Sequence, residues 1–207
     1  MSPRPRKATD EDIFNAAMRA MSRFGPSQLT LSHVATEAGL TAGALVQRFG
    51  SKRRLLLALM ERYSRSARAM FDALRAAATT PLGAIHAYAR CMAQMGETPD
   101  ALAHHLAWLQ QDLTDPDFRK YMLVQARATR RELQRLVREA RDAGELRGPL
   151  DVAAIARAVE VTIAGSLMSW AVHQEGTAAA WVRHDVDAAL RPWMVKPIGR
   201  ARSRGTL

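Results

Sequence analysis

The side chains of this 207-residue chain that could do chemistry fall into two groups, and the first does not assemble into a catalytic site. The one cysteine, Cys91, follows His86 by five residues, off that histidine's helical face, and no G-x-S-x-G elbow occurs, so a nucleophile with its base is missing. His104 and His105 are adjacent and would point about 100° apart on a helix. No HExxH or CxxC spacing is present either, so neither a metal nor a cofactor is expected, and the chain is read as a non-enzyme. The second group lies in residues 30–52, TLSHVATEAGLTAGALVQRFGSK. There Ala42, Gly43, Ala44, Gln47 and Arg48 would share the outward face of a short helix that is slim at its start and hydrogen-bonding at its end. A helix of that shape can enter a DNA major groove, where Gln or Arg reads base edges.

Such a helix must be held by another crossing it closely. Residues 30–39 read as one short helix and 41–48 as the next, joined by Gly39-Leu40-Thr41. Gly39 can take the left-handed conformation that ends the first, and Thr41 can cap the second. Ala35 is small enough for close crossing, and Val34, Ala38, Leu40 and Leu45 supply buried faces. A plain helical hairpin inside a bundle would share these features, so the outward face alone speaks for DNA. Before this hairpin, Thr9 caps a helix whose apolar stripe is Ile13, Phe14, Ala17, Met21 and Phe24, ending at Gly25-Pro26. After it, a fourth helix starts at Ser51 and continues past Phe71 to Ala78, where Thr79-Thr80-Pro81 breaks it. Residues 81–95, 99–113, 116–143, 151–174 and 177–193 each read as one further helix.

No stretch has the period-2 alternation of a strand, so the expected fold is all-α with about nine helices: an N-terminal three-helix DNA-binding domain with a helix-turn-helix, and a larger C-terminal bundle. The expected division is 1–50, 51–195 and a basic disordered tail at 196–207. The helix at 151–174 is apolar around much of its circumference and must be covered on more than one side, by its own core or by another subunit.

Charge agrees with a polyanionic partner. The chain carries 30 basic and 20 acidic residues, net +10, but residues 66–190 hold 14 basic and 15 acidic, so the excess sits at the two ends. The longest unbroken apolar run, 55–60, is six residues, against roughly 20 for a bilayer span. Asp10, Glu11 and Asp12 stand where a secretory signal would be apolar. With a single cysteine, these features lead us to expect a cytoplasmic, nucleoid-associated protein with no membrane partner. The basic stretch at 127–141, with Glu132, Glu139 and Asp142 interrupting it, reads as a solvated helix face.

Residues 12–61 resemble the DNA-binding domain of the TetR family of bacterial transcriptional regulators: Thr30, Val34, Ala35, Ala38, Gly39, Leu40, Thr41, Gly43, Leu45, Phe49, Ser51, Lys52 and Leu55 fall on the family's pattern. The resemblance implies that Thr30, Thr41 and Lys52 contact phosphates, and Gln47 is the best candidate base reader. The family often has Tyr, a phosphate donor, where Val46 stands; Arg48 could offset its loss, or Val46 could touch a thymine methyl. His33 is open between a DNA contact and plain exposure, and Arg4 and Arg6 between an adjacent minor groove and a solvated arm.

The resemblance also implies a dimer through the helices at 151–174 and 177–193, a pseudo-palindromic double-stranded DNA operator, and a small-molecule effector of unidentified structure. Candidate lining residues are Tyr63, Met70, Tyr88, Met92, Met95, His105, Trp108, Met122, Gln125, Ser166 and Trp170, soft apolar groups with a few hydrogen-bonding ones that would suit a small apolar ligand; core packing would use the same residue types. The expected function is a repressor released from DNA by its ligand. The alternative is a helical scaffold whose basic ends bind nucleic acid nonspecifically.

Overall fold

Helix starts follow the capping chemistry of the sequence. In the computed structural model, which describes residues 8–195, Thr9 caps α1 (Asp10–Arg23) and exchanges hydrogen bonds with Asp12 in a capping box. Thr30 caps α2 (Leu31–Ala38), Thr41 caps α3 (Ala42–Phe49) and Ser51 caps α4 (Lys52–Ser64), each hydroxyl accepting a backbone N–H at 3.2 Å. Beyond α5 (Ala67–Ala77) come α6 (Pro81–Gln94), α7 (Pro99–Thr114), α8 (Pro116–Asp142), α9 (Val152–His173) and α10 (Ala178–Leu190). Thr80, Thr98, Asp115, Asp151 and Thr177 cap these five, and proline opens α6, α7 and α8, where its missing N–H costs nothing. Arg4, Arg6 and the tail at 196–207 lie outside the described residues.

Among the described residues the regular structure is helical, as expected, but the helices number ten. The single helix expected from Ser51 to Ala78 is in fact two. The Ser64 and Ser66 hydroxyls donate to the carbonyls of Glu61 and Tyr63 at 2.8 and 2.7 Å, and Arg65 N–H bonds to the Arg62 carbonyl, so side chains and a tightened turn replace the helical ladder. The break also serves burial, because α4 and α5 feed different cores. The head core joins α1, α2 and α3 through Ile13, Ala17, Val34, Ala35 and Leu45 to Leu55, Leu56 and Leu59 of α4. The body core gathers Phe71, Ile85, Tyr88, Leu133, Leu136, Ile155, Val159, Val182, Val186 and Leu190 from α5, α6, α8, α9 and α10.

Two body residues, Trp108 of α7 and Phe118 of α8, are buried in the head core. Trp108 Nε1–H donates to the Met21 carbonyl at 3.2 Å, and His104 Nδ1 lies 3.2 Å from the Ser22 carbonyl, so α7 engages the last turn of α1. Arg53 of α4 donates to Asp115 and Asp117 at the α7–α8 corner. These contacts seat the head on the body.

By length and composition alone α9 could cross a bilayer, although polar residues interrupt its apolar runs. Its Ile155, Ala156, Val159, Ile163, Leu167 and Trp170 are buried in the body core, the pattern of a core helix. Its other face keeps Val161, Met168 and Val172 at 62%, 55% and 80% exposure.

Candidate nucleic-acid interface

The turn between α2 and α3 sets the geometry of the site. Gly39 has φ 66°, its N–H bonds to Thr36 O, and Leu40 N–H bonds to Ala35 O at 2.8 Å, a Schellman motif that ends α2 and reverses the chain into α3. Glu37 ties α2 to α1 by ion pairs to Arg19 and Arg23. Buried Leu45 anchors α3, and Phe49 tilts against Phe14 with centroids 6.0 Å apart. What remains outward on α3 is the expected face: Gly43, Val46, Gln47 and Arg48 are exposed, with Ala42 and Ala44 half-buried beside them.

These residues are differently committed. Gln47 makes no hydrogen bond among the described residues and stands beside an open groove lined by Ala8, Leu40, Ala44 and Arg48. Arg48 is held against the start of α1, donating to Ala8 O at 2.8 Å and pairing with Asp10 at 2.6 Å. A Cβ on Gly43 would meet nothing nearer than Thr41 Oγ1 at 4.0 Å, so the fold itself has no use for glycine there. Val46 is 48% exposed and offers only methyl groups. The Thr30 and Thr41 hydroxyls spend an acceptor lone pair on capping, which leaves each O–H free to donate outward.

Two expected contacts have other work. Lys52 is half-buried, its ammonium donating to Pro26 O at 3.2 Å and Leu29 O at 2.8 Å, so it fastens α4 to the α1–α2 loop with one N–H left over. His33, expected to face outward, is half-buried: its ring stacks on Phe24 at 4.0 Å, and its Nδ1 is enclosed without a partner.

The candidate ligand residues scatter more. Gln125, with its amide turned so that Nε2 donates, reaches the Tyr63 and Ser64 carbonyls at 3.0 and 3.2 Å, whereas Tyr88 is buried in the body core, against which Met70 and Met92 pack. Met95 and Met122 are half-buried, while His105 is exposed. Trp108 lies in the head core, and Ser166 and Trp170 are buried on α9 toward α10 and the loop before it. Burial pushes the Tyr63 and Tyr88 phenols up, so both hydroxyls stay protonated. Burial, with the nearby Asp115 carboxylate, also pushes the Asp112 carboxyl on α7 up to about 6.

Comparisons with known proteins agree with this geometry. Residues 13–59 match the family model of bacterial regulatory proteins of the tetR family, and residues 107–186 match that of the tetracyclin repressor-like C-terminal domain, so the two together cover more than half of the chain. The HTH-type transcriptional regulator BetI of Agrobacterium fabrum is 29% identical over 134 residues, which span 64% of this chain and 63% of BetI. Among solved structures, a TetR transcription regulator from Haloarcula marismortui superposes with a TM-score of 0.70 at 17% identity, covering 90% of this chain and 98% of that one. SmeT, the repressor of the Stenotrophomonas maltophilia multidrug efflux pump SmeDEF, has the same fold with a TM-score of 0.64 at 22% identity, covering 92% of each chain. With its helix-turn-helix inside the first match and its helical body inside the second, the chain belongs to the TetR family of bacterial transcriptional regulators.

Proposed function

We propose that the chain acts as a homodimeric, sequence-specific repressor that a small apolar ligand releases from a pseudo-palindromic operator. The observation that carries this reading is the outward face of α3: Gln47 has no partner among the described residues, and Gly43 is a glycine the fold does not need. A glycine inside a helix costs about 1 kcal/mol relative to alanine, and a close approach to a DNA backbone is a reason to keep it. Gln47 then reads a base edge in the major groove, most favourably adenine. The hydroxyls of Thr30 and Thr41, the N-termini of α2 and α3, and the remaining N–H of Lys52 face phosphates. Arg48 orients the start of α1 beside the recognition helix.

The dimer forms through α9 and α10, with the exposed apolar face of α9 at its centre. It sets two α3 helices about 34–36 Å apart, one turn of duplex, and the ligand favours a geometry in which that spacing no longer fits. The protein works in the cytoplasm on the nucleoid. Nonspecific binding by the basic ends of a scaffold would give no role to Gly43 or Gln47. The deciding experiment selects the purified protein against a random duplex library at near-physiological salt. An enriched inverted repeat is expected; strong binding without any motif would overturn the reading.

A further inference from the structure

The longest helix among the described residues, α8, has two unlike sides. Phe118, Thr129, Leu133, Leu136, Val137 and Ala140 are buried on one of them. Opposite lie Lys120, Val124, Arg127, Arg131, Gln134 and Arg138, all within about 40° of a single line if each residue turns the helix by about 100°. Five of the six are exposed and Gln134 is half-buried. From Lys120 to Arg138 the row is about 27 Å long and straight.

No carboxylate neutralises this row. Arg127, Arg131 and Arg138 make no ion pair or side-chain hydrogen bond among the described residues, and the Lys120 ammonium lies over the ring of its neighbour Tyr121 at 5.8 Å. The acids of the helix stand aside and are engaged: Glu132 and Glu139 hold Arg75, Glu139 also holds Arg135, Asp142 pairs with Arg141, and Asp117 pairs with Arg53. A merely solvated helix gains from opposite charges four residues apart and loses from like ones, as Arg127 and Arg131 are. The row therefore weakens the helix that carries it, and a partner that neutralises it recovers the loss.

The row also selects its polyanion. Its members are spaced alternately by four and three residues, the repeat with which one helix lies along another. Val124 within it and Leu123 beside it are each 46% exposed, and phosphates offer nothing that would cover them. A helix on a lipid surface buries the side opposite its charges, but that side of α8 is already taken by the two cores. Because α8 passes from Phe118 in the head core to Leu133 in the body core, the row leads away from the recognition helix rather than along a duplex held by it. Carboxylates suit it, since arginine binds them with two parallel hydrogen bonds. Among the described helices only α8 has three carboxylates at three-, four- or seven-residue steps, and those are engaged, so a second copy is not the partner. We propose that the outward row of α8 docks an acidic α-helix of another protein, with carboxylates at the same alternating spacing and one apolar side chain against Leu123 and Val124. This surface is separate from the operator face and does not rest on the repressor reading.

The test titrates the full chain onto four probes: an alanine-rich helical peptide with glutamates at alternating four- and three-residue spacing and one leucine, a peptide of the same composition with its glutamates spread around the helix, a random-sequence duplex, and vesicles of phosphatidylserine with phosphatidylcholine. The ordered peptide is expected to bind about tenfold more tightly than the spread one, because the charges act as a network only in register. It should lose about tenfold in a triple variant, Arg127→Glu with Arg131→Glu and Arg138→Glu, and about threefold in Val124→Ser. The matching glutamine triple variant should also lose affinity while melting no earlier than wild type, since it relieves repulsion; it carries the test if the glutamate variant unfolds. Equal affinity for the two peptides, or a preference for vesicles that the triple variant abolishes, would overturn the proposal. Duplex affinity should stay within about threefold of wild type in the glutamine variant; a larger drop would make the row a DNA surface and overturn it as well. Operator selection by the wild type is measured separately, and its failure bears on the repressor reading alone.

Discussion

The outward faces of α3 and α9 are both left uncovered by the described residues, yet they are opposite in chemistry. On α3 the exposed set is Gly43, Val46, Gln47 and Arg48, small at one end and polar at the other. On α9 it includes Val161, Met168 and Val172, which no described residue covers. A slim polar face suits a groove whose edges are donors and acceptors, whereas a broad apolar one suits a second copy of itself, because only another apolar surface removes it from water. In the proposed function each uncovered face takes the partner its composition suits, DNA for α3 and a second copy for α9.

Breaking the α9 side should have the largest effect. Val161→Glu with Met168→Glu is expected to give a monomer in sedimentation at micromolar concentration. Operator affinity should then fall by about 100-fold or more, because the second half-site is no longer held at high effective concentration. A dimer that persists would place the interface elsewhere. On the α3 side, Gln47→Ala should cost about 1–3 kcal/mol of discrimination at one base pair and leave nonspecific affinity unchanged. Competition binding with single-base operator variants measures this, and uniform loss across all sequences would deny Gln47 a reading role. Gly43→Ala sharpens the contrast between fold and function: stability should rise by about 1 kcal/mol while operator affinity drops, and a variant that gains on both would show that the glycine serves neither.

The smallest effect belongs to the junction between the two regions. Asp112, with its carboxyl pushed up to about 6, resists ionisation in the folded protein more than in the unfolded chain. Folding stability is therefore lost as pH rises from about 4 to about 6 and stays lost above it. Asp112→Asn should gain about 1 kcal/mol at pH 7.5, a figure reduced for the partial exposure of the group. Chemical denaturation at pH 7.5 and 4.5 should show the gain shrinking at the lower value; equal gains would assign the effect to something other than charge.

Local chemistry carried much of this into plain view. Thr9, Thr30, Thr41 and Ser51 announce helix starts because a hydroxyl satisfies an orphan N–H only there, and Gly39 announces the turn because few residues tolerate a positive φ. The α3 face was legible for the same reason, its 3.6-residue period sorting Leu45 inward and Gln47 outward. The break after Ser64 was not, since serine inside a helix is only mildly unfavourable and the decisive factor is that Leu59 and Phe71 belong to different cores.

The commitments of individual polar side chains divide along the same line. That Arg48, Lys52 and Gln125 can donate hydrogen bonds is written in their types, and so is the all-α character of the chain. That Arg48 grips Asp10, that Lys52 holds the Pro26 and Leu29 carbonyls, and that Gln125 ends α4 depends on acceptors from 23 to 62 positions away in sequence. Periodicity and capping act within a few residues and can be read in order along the chain. Which donor meets which carbonyl is decided only when the helices pack, because that step alone brings distant backbone within 3 Å or so of a side chain.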